Sequence, residues 1–161
     1  MRILIVYASY NNTTQMCAKL LAEKLPNSDI VNLAKSKADL SNYDTVIIGS
    51  CIRFNVIHNS VKNFIGDNLD TLLNMNTGIY LCCGFPEKAN QYLLHNFPKK
   101  LLENSTSIQC FGGNLKVKPY RLHDQLIVNI VKKNFKNDKR TPTEISNESI
   151  LKMVEDINNI K

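Results

Sequence analysis

Ile3-Leu-Ile-Val-Tyr-Ala-Ser-Tyr-Asn-Asn-Thr-Thr14 is the stretch that decides the fold. Its first half is apolar without interruption, as a strand covered on both faces must be. From Ser9 to Thr14 the residues are polar or turn-prone, and a helical pattern follows. A strand that runs through a hydroxyl-rich turn into a helix N-terminus builds an anion site. The first-turn N–H groups have no intrahelical partner, and the positive end of the dipole faces outward. Ser9, Thr13 and Thr14 add hydroxyl donors, and Asn11 and Asn12 add amides. The loop holds no Lys or Arg, and the Gly-x-x-x-x-Gly-Lys-Ser/Thr pattern of triphosphate sites is absent. The stretch therefore suits a phosphate held by neutral donors. An ordinary strand–loop–helix connection capped by Asn12 or Thr13 uses the same residue types, so the rest of the chain has to decide between them.

With 161 residues and 43% apolar content, the chain reads as one domain, 1–161, with a sizeable core. The apolar runs are strand-length, too short for a transmembrane helix. Nothing near the N-terminus resembles a signal peptide. Cys17, Cys51, Cys82, Cys83 and Cys110 are scattered and odd in number, with no Cys-x-x-Cys or metal-ligand spacing. They read as small core residues of a reduced, cytoplasmic protein. The net charge of +6 would suit a solvated Lys-rich surface or an anionic partner. No Arg/Lys cluster carries interleaved aromatics, so nucleic acid is not an expected partner. His58, His95 and His123 are isolated in sequence. For His58, a surface position or helix capping is the expected role, with proton delivery the alternative.

Strands are expected at Arg2–Ala8, Asp29–Asn32, Thr45–Ser50, Gly78–Cys83 and Ser107–Gly112. Helices are expected at Thr13–Leu25, Ser60–Leu73, Glu87–Leu102 with a break at Pro98, Tyr120–Phe135 and Thr143–Ile160. The first helix would carry its stripe on Met16, Cys17, Leu20 and Leu21, and the second on Val61, Phe64, Ile65, Leu69, Leu72 and Leu73. Alternating strands and helices imply a doubly wound α/β fold, a three-layer sandwich with helices on both faces of a five-stranded parallel sheet. In one common version of that fold the strand order is 2-1-3-4-5. A ligand would then sit beyond the carboxyl ends of strands one and three, at Ser9–Thr14 and Ser50–Asn55, with Cys82–Pro86 nearby.

On these residues the chain resembles the flavodoxins. Their phosphate loop reads Ser/Thr-x-Thr-Gly-x-Thr, and Ser9-Tyr10-Asn11-Asn12-Thr13-Thr14 keeps the first hydroxyl and the last Thr. Asn12 stands where that motif has Gly, a replacement suited to positive φ. A narrower resemblance is to the flavodoxin-type, quinone-linked protoporphyrinogen oxidases. It is carried by Tyr43-Asp-Thr-Val-Ile-Ile-Gly-Ser-Cys-Ile-Arg-Phe54 with His58, and by Gly113-Asn-Leu-Lys-Val117 followed by Pro119-Tyr-Arg-Leu-His-Asp124. One departure stands out. Those oxidases carry a long basic insertion after the fourth strand, whereas Cys82-Cys-Gly-Phe-Pro-Glu-Lys-Ala-Asn90 passes quickly into a helix.

The resemblance implies an FMN-binding, flavodoxin-like electron-transfer protein. The alternatives are a menaquinone-dependent oxidase of the porphyrinogen type and a module that has lost FMN. Residues Ser9, Tyr10, Asn11, Asn12, Thr13 and Thr14 would wrap the phosphate. Ser50, Cys51, Ile52, Arg53 and Phe54, with Cys82, Cys83, Gly84 and Phe85, would flank the isoalloxazine ring. Phe54 and Phe85 are the stacking candidates. Arg53 is the catalytic candidate, as a cation beside the anionic reduced flavin or on an acidic group of a partner. The thiols near the ring are expected to be inert packing. The implied partners are a reductase, a ferredoxin or a quinone. The Tyr120–Phe135 stripe, with Arg121, Lys132, Lys133 and Lys136, is expected to cover the sheet. Its alternative use is peripheral contact with an anionic membrane surface.

Overall fold

In the computed structural model, residues 1–10, 12–113 and 144–160 are described. Asn11, the expected helix Tyr120–Phe135 and the Pro119–Asp124 motif lie outside them. Among the described residues, β1 (Ile3–Ala8), β2 (Ser28–Asn32), β3 (Thr45–Arg53), β5 (Asn76–Cys82) and β6 (Ser107–Cys110) form a parallel sheet in the order β2-β1-β3-β5-β6. With the short β4 (Val56–Ile57) set aside, this is the expected 2-1-3-4-5 order. The register places Ile3 against both Ser28 and Thr45, and Ile47 against Gly78. Every residue of β1 is buried, which explains why its sequence shows no alternation.

Successive strand residues point to opposite faces, and each face has its own core. On one face Leu4, Val6, Val46, Ile48, Ile79 and Leu81 pack against α2 (Asn59–Leu73), α3 (Ala89–Asn96) and α4 (Lys99–Asn104). On the other, Ile3, Ile5, Ile47 and Tyr80 pack against α1 (Asn12–Lys24) and α5 (Asn147–Asn158). The α3–α4 break falls at Pro98, which opens α4. Its ring would clash with the preceding turn of a continuous helix. Helix α2 buries Val61, Phe64, Ile65 and Leu72 as its spacing predicts. Helix α1 is rotated from expectation. It buries Thr14, Cys17, Ala18 and Leu21, while Met16 stays 47% exposed. The polar first turn hid Thr14 from an apolar stripe search. Among the described residues, no helix is long and apolar enough to cross a membrane.

The main departure lies at the end of β3. Ser50–Asn55 was expected as a loop. Instead the strand continues to Arg53 and turns back as β4 (Val56–Ile57), pairing Arg53 with Val56 and Ile52 with Ile57. The turn residues Phe54 and Asn55 have φ of 51° and 65°, the left-handed pair that tight hairpins use. The positions usually hold Asn-Gly, so Phe-Asn gave no hairpin signal.

Candidate functional site

Adjacent strands β1, β3 and β5 end on one edge of the sheet, and β1 and β3 flank the point where the strand order reverses. Clefts for ligands form there in open α/β sheets. The edge brings together Ser9–Tyr10, the first turn of α1, the β3–β4 hairpin and Cys82–Phe85.

Helix α1 begins at Asn12, directly after the β1 turn. Thr13 and Thr14 are buried in its first turn. The Thr14 hydroxyl makes no full hydrogen bond and lies against the buried Cys82 thiol, a state that costs a buried polar group about 1–3 kcal/mol unless something satisfies it. The turn is held from below. Tyr80, buried in β5, donates its hydroxyl to the Thr14 carbonyl at 3.0 Å. Its ring crosses β3 over Gly49, where an added Cβ would lie 2.0 Å from Cζ. Gly49 thus gives Tyr80 its path to α1. Neither residue suggested a role in the sequence, because the contact exists only once β3 and β5 are in register.

The hairpin is anchored at both ends. The Ser50 hydroxyl, fully buried, accepts from the His58 N–H at 3.0 Å and donates to the Cys51 carbonyl at 3.1 Å. His58 is the N-cap of α2, its Nδ1 accepting from the Ser60 N–H at 3.2 Å. Burial lowers its pKa by opposing the charged form. At the tip, Asn96 from α3 donates to the Asn55 carbonyl at 2.8 Å and accepts from the Ile57 N–H at 3.0 Å. Asn96 is a supporting residue that its sequence context did not reveal.

The first loop and the hairpin meet through Tyr10. Its ring lies 4.4 Å from the His58 ring and 4.8 Å from the Arg53 guanidinium carbon. Arg53 also lies 5.8 Å from the Phe54 ring, and Phe54 is 73% exposed. These residues build an aromatic wall with a cation set into it. The Cys51 thiol is pushed up by burial, partly offset by the Tyr10 N–H and the Ser9 hydroxyl, as inert packing requires. Phe85 and Gly84 are half-buried at the opposite loop. Phe85 lies 5.3 Å from the Lys88 ammonium and precedes a short 3-10 turn, Pro86–Lys88.

The edge thus offers an uncharged first helical turn with an unsatisfied buried hydroxyl, beside aromatic faces and a guanidinium. That donor set fits a phosphate monoester carrying a planar ring. Among known proteins, the chain is 25% identical over 157 residues to protoporphyrinogen IX dehydrogenase (quinone) of Escherichia coli strain K12, covering 90% of this chain and 86% of that protein. It shares its fold with a Lactobacillus acidophilus NCFM flavoprotein solved in complex with FMN, with a TM-score of 0.52 and 14% identity over 68% of this chain and 92% of that one. The Desulfovibrio gigas rubredoxin oxygen:oxidoreductase superposes with a TM-score of 0.50 and 16% identity. The overlap there covers 87% of this chain but only 37% of that much longer one. The flavodoxin domain profile matches residues 4–142, and the chain belongs to the flavodoxin domain family.

Proposed function

We propose that this chain binds FMN at the carboxyl edge of its sheet and transfers electrons through it. The observation that carries this reading is the uncharged first turn of α1, which opens at Asn12 directly after β1 at the switch point. Ser9, Asn11, Asn12, Thr13 and Thr14 would hold the phosphate. Tyr10, Phe54 and Phe85 would supply faces for the ring, with the backbone at Ser50–Ile52 and Cys82–Gly84 along its edges. FMN supplies the one- and two-electron chemistry when bound. The protein's task is to orient the ring, limit its exposure and set the local charge. Arg53 would favour negative charge at the ring, and the Ser50–His58 and Asn96 contacts hold it in place. The proposed partners are a reductase or ferredoxin. A fluorescence titration tests the reading. FMN should bind more tightly than riboflavin, and Thr14→Val should erode that preference about fivefold, the loss of roughly 1 kcal/mol of hydrogen bonding. Equal affinity for FMN and riboflavin would refute the phosphate assignment.

A second reading is favoured by the alignment with the quinone-linked dehydrogenase over most of both chains. In it, a reduced porphyrin delivers electrons to the flavin and a quinone removes them. Orienting a large tetrapyrrole needs more surface than the short Cys82–Asn90 connection supplies, so slow or absent turnover is expected. An anaerobic assay with protoporphyrinogen and a menaquinone analogue decides it. Rapid, quinone-dependent porphyrin formation would promote the oxidase reading, and its loss in Arg53→Ala would assign Arg53 to that reaction.

A further inference from the structure

Two close thiol pairs lie in the described residues, one on each face of the sheet. Cys17 and Cys82 have sulfurs 3.7 Å apart, and both side chains are sealed, 0% and 4% exposed. Cys83 and Cys110 have sulfurs 3.4 Å apart. Cys110 closes the edge strand β6 opposite Leu81, and Cys83 follows the end of β5, its N–H donating to the Gly112 carbonyl at 3.0 Å. The two therefore sit diagonally across neighbouring strands on the same face. Unlike the sealed pair, Cys110 is half-buried and lines a groove of ≈500 Å³ with Leu93, Leu94 and Gln109.

We propose that Cys83 and Cys110 form a reversible redox pair, which a small disulfide entering from the groove converts to an intramolecular bridge. The Cys110 thiolate attacks one sulfur of R–S–S–R, and the first thiolate RS⁻ leaves. The Cys83 thiol then gives up its proton and attacks the Cys110 sulfur of the mixed disulfide, releasing the second RS⁻. Two protein thiols are oxidised, R–S–S–R is reduced to two RSH, and the two protein protons end on the leaving thiolates. The roles follow from access and charge. Cys110 faces the groove, and its pKa is drawn down to about 7. The hydrogen bond shared with Cys83 is the main cause, with a further contribution from the Gly112 N–H, against burial and the Glu87 carboxylate. Cys83 is pushed up, by its hydrogen bond with Cys110 and by burial. A thiol with a pKa near ambient pH is the better attacking partner.

Bonded sulfurs stand about 2.0 Å apart, so the pair must close from 3.4 Å. Both strands end by Cys82 and Cys110, so whatever side-chain rotation does not supply falls to the backbone at 83–85 and 111–113. Little slack exists there, since a Cβ on Gly113 would lie 3.1 Å from the Cys83 carbonyl. Bridging therefore re-sets the loop carrying Gly84 and Phe85. Its effect on cofactor affinity rests on the FMN reading; the bridge itself does not.

The test treats the whole reduced chain with oxidised glutathione, then quenches with acid, blocks free thiols and maps the peptides. The expected result is loss of two free thiols, one link joining the Cys83 and Cys110 peptides, and reversal by a dithiol reductant. The link should vanish in Cys110→Ala and persist in Cys17→Ala. No thiol loss, stable glutathione adducts only, or a link that needs Cys17 would overturn the proposal. FMN titration of both forms gives the second readout. A several-fold change in affinity supports control of the loop, and identical affinities overturn it. Failure of both forms to bind FMN would overturn the FMN reading while leaving the bridge intact.

Discussion

Placing a methyl group on Gly49 tests how the first turn of α1 is held. The added Cβ of Gly49→Ala would lie 2.0 Å from Cζ and 2.3 Å from the hydroxyl oxygen of Tyr80. The contact is far inside van der Waals distance, and the ring is fully buried, so the ring must leave its place. Overpacking a core in this way costs about 1–3 kcal/mol. The displaced ring also loses its hydrogen bond to the Thr14 carbonyl, worth about 1 kcal/mol. Together the change should cost about 2–4 kcal/mol, a large share of the roughly 5–15 kcal/mol that domains possess. The effect is conditional on Tyr80. In a Tyr80→Val background, itself costly through the cavity it leaves, the methyl group has room and its cost should fall to below about 0.5 kcal/mol. Urea unfolding of the four proteins, followed by far-ultraviolet circular dichroism, gives the coupling directly. Equal costs for Gly49→Ala in both backgrounds, or a cost below about 1 kcal/mol in the natural one, would show that Tyr80 does not hold the turn through this contact.

Three further outcomes are expected. Replacing Phe54-Asn55 by Asn-Gly should stabilise the protein by about 1 kcal/mol by relieving a left-handed aromatic residue, yet weaken FMN; a lower urea midpoint would contradict the turn assignment. His58 has its folded pKa depressed by burial, so its contribution is complete above the unfolded value of about 6.5 and is lost as pH falls through the lower folded one. Unfolding free energies at about pH 7.5 and pH 5 should show that loss, and His58→Asn, which can still cap α2, should flatten it. Finally, Arg53→Glu should make reduction of bound FMN to its anionic form more difficult, by an amount that shrinks with added salt; an unchanged potential in spectroelectrochemistry would separate Arg53 from the ring.

The centre of the sheet was legible because β1 and most of β3 are buried on both faces, so Ile3–Ala8 and the shorter Val46–Ile48 appear as apolar runs, whereas the edge strands β2 and β6 are only partly covered. The break at Pro98 was legible for an equally local reason. The details of the site were less so. Phe54-Asn55 does not announce a tight hairpin, because Asn55 suits a left-handed position but Phe54 does not, and its conformation goes with β4 pairing and the Asn96 contacts rather than with residue preference. Gly49 under Tyr80 and Cys83 beside Cys110 depend on register between strands far apart in the chain. The thiols read as scattered, inert packing in sequence, and for Cys51 that reading agrees with its burial. The Thr14 side chain was read as a phosphate donor, but its burial in the α1 core face was hidden by its polarity.

The position of α5 at the end of the described chain has a consequence for synthesis on the ribosome. Ile150, Met153 and Ile157 complete the core on the α1 side, and the Ile157 δ-methyl reaches to 3.5 Å from where Gly78 would bear a Cβ. Ser107 donates to Asp156 at 2.7 Å, and the Ser146 N–H reaches the Phe111 carbonyl at 2.9 Å. Until these residues emerge, the nascent sheet shows water the part of its apolar face that α5 will cover. Translation at about 5–20 residues per second makes that interval last for seconds, long enough for a chaperone to engage. A chain stalled before Asn147 would keep that face open indefinitely and should be a substrate for quality control rather than a slower version of the finished protein.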